Sequence, residues 1–217
     1  MPDYAAQRFN MVESQVRTSD VPNPRIQKAM LEVARERFVP ATKRDSAYAE
    51  TAVEVVQGRY LLEPRTLAKL IHLADVGAND TVLDVGCTSG YSAAVLARLA
   101  KKVYALESDA ELVRVASEML PAVGVTNAEV VQGGLREGHR AAAPYDVIVI
   151  EGAVEEVPDS LLAQLAEGGR LVAMVQAGPQ TRAYRYVRHD GHVGSSSDFD
   201  GAAPLLTSFR KPVGFVL

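Results

Sequence analysis

The chain is short of the features that mark several broad protein classes. It has one cysteine, Cys87, in 217 residues, so no disulfide can close within it and no cysteine-rich zinc site can form. It has no tryptophan, and aromatics make up 6%. Positive charge is not in excess: 23 Lys and Arg stand against 27 Asp and Glu, a formal net charge of -4. That argues against electrostatic nucleic-acid binding and against a polybasic membrane-surface protein. No apolar run reaches the ~18 residues that a membrane-spanning helix needs. The start, Met1-Pro2-Asp3-Tyr4, lacks the basic-then-apolar pattern of a secretory signal. There is no G-x-x-x-x-G-K-[ST] loop for nucleotide triphosphates and no G-x-S-x-G nucleophile elbow. The remaining composition, 47% hydrophobic and 23% charged, is that of a globular chain of ordinary domain size. The expectation is a cytoplasmic α/β protein.

What is present is a change of period along the chain. Residues 1–40 carry Phe9, Val12, Val16 and then Ile26, Met30, Val33 and Phe38 at helical spacing. Residues 18–24 break the two helices, Pro24 opens the second, and Phe38-Val39-Pro40 closes it. Residues 41–64 read as loop with short strands, and Thr66 to Val76 as a helix. From residue 80 onward, strands at 81–86, 102–107, 128–133, 145–150 and 170–175 alternate with helices at 90–100, 109–120 and 159–166. Asp109 is placed as an N-cap, and Gly168-Gly169 stops the last helix. The alternation predicts a doubly wound, mostly parallel sheet of Rossmann-like type, with the apolar 145–150 run at its centre. Residues 184–188 and 213–216 read as strands of an antiparallel edge, with 194–201 an exposed loop. The expected organisation is one compact unit. A helical cap and substrate loop occupy 1–64, and the core with its C-terminal strands occupies 65–217.

In such a sheet a ligand binds beyond the carboxyl ends of the strands, at the switch point. The first regular strand ends there, in the turn Asp84-Val85-Gly86-Cys87-Thr88-Ser89-Gly90-Tyr91. Glycine lets backbone approach a ligand, and the following helix start offers free N–H groups. Glu107 lies 21 residues after Gly86, at the end of the next strand. That is the place of an acid that accepts hydrogen bonds from ribose hydroxyls. An ordinary βαβ unit can carry the same glycine and acid for purely structural reasons. A G-x-G-x-x-G dinucleotide turn needs glycine at 86, 88 and 91, and only Gly86 fits. A ribose acid beside a turn that cradles a carboxylate suits S-adenosylmethionine better.

These residues resemble the protein-L-isoaspartate O-methyltransferase family, from about Met11 to Leu217. Met11-Val12-Glu13-Ser14-Gln15-Val16-Arg17 is similar to the family's first helix, and Pro24-Arg25-Ile26 through Phe38-Val39-Pro40 to the next. Val82 to Ala97 resembles the cofactor loop and helix. Pro144 to Val149 and Leu161 to Val172 resemble later strands. The resemblance implies a Rossmann-like methyltransferase fold and S-adenosylmethionine as cofactor. It implies methyl transfer to the carboxylate of isoaspartyl residues in damaged proteins, so the partner is a peptide or protein. The ester then decomposes through a succinimide and partly restores aspartate. Asp84, Gly86, Cys87, Ser89, Gly90, Glu107, Gly133 and Gly134 are the expected cofactor contacts. No catalytic acid or base is assigned, because a carboxylate is already a nucleophile at neutral pH and the work is positioning.

The departures from the family pattern cluster at the chemistry. The family's substrate loop reads Gly-Gln-Thr-Ile-Ser-x-Pro, whereas this chain has Gly58-Arg59-Tyr60-Leu61-Leu62-Glu63-Pro64. Leu62 stands in place of the active-site serine. Thr88 replaces a glycine of the cofactor loop, and Gln132-Gly133-Gly134 lacks the acid of the family's Gly-Asp-Gly. Glu151 replaces a threonine, where its charge would repel an incoming carboxylate. Arg59 and Glu151 are expected to be able to pair across the site. Two readings follow: a methyltransferase that tolerates these changes and still methylates isoaspartyl residues, or a degenerate member acting as a cofactor-binding or protein-interaction module; isoaspartyl activity is expected to be weak or absent.

Two further groups carry little weight. Cys87 is read as a small turn filler before a reactive thiol. His189, His192, Asp198 and Asp200 are read as a solvated loop before a metal site.

Overall fold

The computed structural model describes residues 2–178 and 180–211. Helix α1 (Tyr4–Met11) starts at Asp3, whose side chain accepts from the Ala6 amide. It runs into a wider turn at Val12–Val16. Helix α2 (Pro24–Glu32) starts at Asn23, capped through the Arg25 amide, with Pro24 in its first turn as predicted. It ends at Glu32, well before Phe38. Val33 and Ala34 are extended and a single turn, Arg35–Arg37, follows. Val33, Arg35 and Phe38 are all buried. A continued helix would place Arg35 about 200° round from Val33, so the helix must end for all three to face inward.

Strands β1 (Val53–Val56) and β2 (Arg59–Leu61) form an antiparallel hairpin. Its turn uses Gly58 at φ 74, and the Gly58 amide donates to Glu54 Oε1 at 3.1 Å. Helix α3 (Pro64–Ala74) begins at Pro64, so that proline opens a helix as well as ending the loop.

The core follows as β3 (Thr81–Val85), α4 (Tyr91–Ala97), β4 (Lys102–Glu107), α5 (Ala110–Ala122), β5 (Ala128–Gln132), β6 (Tyr145–Val154), α6 (Asp159–Leu162), β7 (Leu165–Ala177), β8 (Gln180–His189) and β9 (His192–Asp200). Among the described residues the sheet has seven strands, in the order β5-β4-β3-β6-β7-β8-β9. The first five are parallel, β8 and β9 antiparallel. Strand β6 stands at the centre, as its apolar run predicts. The architecture is the expected doubly wound, mostly parallel sheet of Rossmann-like type, with helices α1–α3 packed beside it. Among the described residues no helix is long and apolar enough to cross a membrane.

Three details differ from expectation. Helix α6 stops at Leu162, and β7 already begins at Leu165. A Cβ on Gly169 would lie 2.8 Å from the carbonyl oxygens of Ala166 and Tyr145. The glycine pair therefore lets the strand enter against β6 and does not end a helix. Residues 194–201 are largely strand: β9 is held by its ladder to β8 although nearly all its side chains are exposed. A polar edge strand of this kind resists pairing with other chains, and its polarity reads as loop. The 213–216 strand lies outside the described residues.

Side chains alternate between the two faces of the sheet. Leu83, Val85, Leu106, Ile148 and Ile150 pack with Leu161, Leu171 and Phe209. Val82, Val103, Ala105, Val147 and Val149 pack with Met30, Phe38, Leu67 and Leu96 on the other face. Asp84 takes its parity from this second set.

Candidate cofactor and acceptor site

Strand register builds the site. Val85 pairs with Leu106 of β4 on one side and with Ile150 of β6 on the other. The next residues, Gly86, Glu107 and Glu151, therefore stand side by side at the carboxyl ends of three central strands. All three continue the face that carries Asp84. Asp84, Glu107 and Glu151 are all buried.

The turn after β3 is drawn tight. Gly86 has φ 82 and Gly90 φ 96, values that glycine adopts freely. Thr88 is at φ 51, a costly conformation for a β-branched residue. Its hydroxyl donates to the Cys87 carbonyl at 2.7 Å. The Ser89 hydroxyl donates to the Phe38 carbonyl at 2.5 Å, which ties the turn to the N-terminal segment. The Ser92 hydroxyl donates to Asp84 Oδ2 at 2.7 Å. Cys87 is fully buried, and burial pushes its thiol well up. That makes it inert filler rather than a nucleophile.

Glu107 is the centre of the arrangement. Its Oε1 accepts from the Ser108 amide at 2.7 Å, the Asp109 amide at 3.1 Å and the Ser108 hydroxyl at 3.3 Å. Its Oε2 accepts from the Thr88 amide at 3.0 Å. Arg59 completes the set with a forked contact, Nη1 to Oε1 at 2.7 Å and Nη2 to Oε2 at 2.5 Å. The pairing of Arg59 with Glu151 expected from the sequence is thus incorrect. Strand β2 enters on the β4 side of Gly86, and the planar guanidinium meets both oxygens of Glu107 at once.

Glu151 has no such partner. Its Oε1 is buried without a hydrogen bond, as is Asp84 Oδ1. Burial raises the Glu151 carboxyl well above its ordinary range and nearby Asp84 adds to this, while Arg35 opposes it. Asp84 is pushed up to about 7, by burial first, with the Ser92 hydroxyl working the other way. Burial thus favours the protonated form of Glu151, which weakens the charge repulsion expected from the sequence.

Sequence reasoning missed several participants. Arg35 is fully buried; its Nε donates to the Ala47 carbonyl and its Nη2 to the Leu62 carbonyl, each at 2.7 Å. Its guanidinium lies 4.7 Å from the Tyr91 ring centroid. Leu206 reaches over from the C-terminal segment, bound to Ala153 through both backbone groups of that residue's neighbourhood: the Leu206 amide donates to the Ala153 carbonyl at 2.9 Å, and the Ala153 amide to the Pro204 carbonyl at 2.8 Å. The Glu137 carboxylate rests on Gly134, in space a Cβ there would need. A carboxylate thus stands near the glycine pair despite the missing acid at Gly133. The Arg35 and Leu206 contacts have no local signal, since they join separate elements of the chain.

Two clefts reach Glu151. One is lined by Gly58, Tyr60, Leu62 and Pro204–Leu206, the other by Tyr60–Leu62, Leu67, Thr88, Tyr91 and Ser92. Neither has room for a water molecule as the side chains stand, whereas ligand pockets usually measure roughly 300–1,000 Å³, so both are closed. The histidine and aspartate group does not assemble as spaced. Asp200 is paired with Arg182, and His189 instead approaches Glu167 and Asp190, all exposed.

Comparison with known proteins decides the family. The family model of protein-L-isoaspartate(D-aspartate) O-methyltransferase (PCMT) matches residues 6–199. The chain belongs to this family. A protein-L-isoaspartate O-methyltransferase of Koribacter versatilis (strain Ellin345) is 37% identical over 85% of this chain and 83% of its own. One of Synechococcus sp. (strain JA-2-3B'a(2-13)) is 40% identical over 81% and 72%. A Plasmodium falciparum PCMT in complex with S-adenosyl-L-homocysteine superposes with a TM-score of 0.79 at 20% identity, covering 93% of this chain and 98% of its own. That likeness speaks to fold.

PCMT membership implies S-adenosylmethionine as cofactor, and the frame for it is here. The glycine turn stands at the switch point with a buried carboxylate beside it. Glu107, the expected ribose acid, has both of its oxygens held by Arg59. The residues fit the cofactor once that one side chain is displaced.

Proposed function

We propose that this chain is an S-adenosylmethionine-dependent O-methyltransferase that keeps the PCMT cofactor frame and has a rebuilt acceptor side. The carrying observation is the register that aligns Gly86, Glu107 and Glu151 at the switch point. Gly86, Cys87, Ser89 and Gly90 form the turn that would hold the methionine end, Glu107 would bind the ribose, and Gly133 with Gly134 would border the adenine. Asp84 supports the turn through Ser92. The bound cofactor would supply an electrophilic methyl group on its sulfonium.

The acceptor side is where this chain goes its own way. Leu62 is buried, and its side chain neither donates nor accepts. Tyr60 and the buried Glu151 replace smaller polar groups beside it. An isoaspartyl carboxylate therefore loses a hydroxyl partner and meets narrower clefts. The acceptor remains a peptide or protein in this reading, with isoaspartyl transfer weak, and the setting is the cytoplasm. The forked Arg59–Glu107 contact favours a second reading, a catalytically degenerate module, because it occupies the ribose acid.

Calorimetric titration with S-adenosylhomocysteine tests the cofactor reading. Binding supports it; no heat at millimolar ligand, with Arg59 intact or replaced, removes it. An isoaspartyl-peptide methylation assay tests the acceptor reading. Turnover equal to that of a PCMT with the serine would overturn it, and a gain in the Leu62→Ser variant would support it.

A further inference from the structure

Glu107 accepts six donors, and a carboxylate offers about four lone-pair sites. Four of the six come from the turn after β3 and from the residues just beyond Glu107 itself. Only the two from Arg59 come from another element. The same guanidinium covers the glycine turn: its Nη2 lies 3.2 Å from where a Cβ on Gly86 would be. Arg59 thus blocks both the ribose acid and the adjoining backbone.

Its carrier is anchored at one end only: Val53 and Leu61 are buried, while Glu54–Val56 and Arg59–Tyr60 are half-buried. The β1–β2 hairpin is a separate two-stranded sheet outside the central one, and a two-stranded ribbon is marginal by itself. Arg59 Nε is buried without a partner, so the guanidinium is not fully satisfied where it lies. Neutral hydroxyls cannot outcompete a charged, bidentate fork while it stays in place. Tyr60 of the hairpin and Leu62 just after it border both clefts at Glu151, and Leu61 borders one. Movement of Arg59 and reshaping of the acceptor side are therefore linked.

We propose that Arg59 is a latch that decides admission of the cofactor: it occupies the ribose subsite on Glu107, and the cofactor binds only when the β1–β2 hairpin lifts it away. This rests on the methyltransferase reading above. Apparent affinity then falls by the fraction of molecules with the latch open. Arg59 acts by position; it takes no part in the methyl transfer.

The test is calorimetric titration of S-adenosylhomocysteine into the wild type and Arg59→Gln, with hydrogen exchange of residues 53–61 followed in parallel. Arg59→Gln is expected to bind at least about tenfold more tightly, as removal of a closed state populated in nine molecules of ten requires. In the wild type, ligand should speed exchange in the hairpin. Where Arg59→Gln fails to fold with Glu107 uncompensated, Arg59→Lys keeps the charge, loses the fork and should show a smaller gain. Equal affinities for wild type and variant overturn the latch and leave the methyltransferase reading standing. Wild-type binding without any change in hairpin exchange also overturns it. No binding to any form at millimolar ligand overturns the methyltransferase reading, and the latch with it.

Discussion

Arg35 holds the 58–64 segment by its backbone: the guanidinium donates to the Leu62 carbonyl at 2.7 Å while fully buried. The same group donates to Ala47, so one side chain joins the segment after α2 to the segments on both sides of the β1–β2 hairpin. Its position depends on α2 ending at Glu32. Replacing it with methionine keeps much of the volume and leaves two buried carbonyls without a donor. Arg35→Met is expected to lose about 2–4 kcal/mol of stability, read from urea melts. A loss below about 1 kcal/mol would mean that other donors reach those carbonyls.

The buried acids make stability depend on pH in a stated direction. Asp84 is pushed up to about 7 by burial, and Glu151 is also raised. A carboxyl with a raised native pKa favours the folded state while both states are protonated. Its contribution is complete below the unfolded value of about 3.9 for aspartate and is lost as pH climbs through the native value. The wild type should therefore lose stability between about pH 4 and pH 7 relative to Asp84→Asn. Urea midpoints measured across that window check it, and parallel curves would refute it.

Leu206 sits where Gly152 allows it. A Cβ on Gly152 would lie 2.6 Å from Leu206 Cγ, well inside contact distance. Gly152→Ala is expected to cost about 1–3 kcal/mol and to loosen the 204–206 segment from β6. Faster amide exchange at Leu206, whose N–H now bonds to Ala153, is the local readout. Unchanged exchange there would show that the leucine repacks in place.

Cys87 should not react in the native state. It is fully buried, its thiol is pushed up by burial and by the carboxylates of Asp84 and Glu107, and reactive thiols need exposure and a low pKa. A thiol reagent should label it only at the rate of unfolding. Rapid labelling of folded protein would contradict the packing of the turn.

The cofactor frame was legible because each part is local. Gly86 ends an apolar strand, Asp109 caps the helix after the next strand, and Glu107 follows at the expected distance. The apolar 145–150 run announced the sheet centre for the same reason. Other features were not legible. The polar edge strand β9 is held by backbone bonds to β8, which leave little trace in side-chain pattern. The end of α2 depends on which side chains are buried together. The choice of Glu107 over Glu151 as partner of Arg59 depends on where the hairpin docks.

The sequence by itself determined the alternation of strands and helices from residue 80 to β7, the glycine turn, the acid that ends β4 and the family. Those follow from period, turn chemistry and spacing within short stretches. Only the tertiary structure decided the contents of the site. Register set Gly86, Glu107 and Glu151 abreast, and the docked hairpin brought Arg59 across 48 residues to Glu107. Burial then raised the Glu151 carboxyl above its ordinary range. Such contacts join distant elements, and their energies depend on distance, direction and the exclusion of water, none of which exists before the chain has folded.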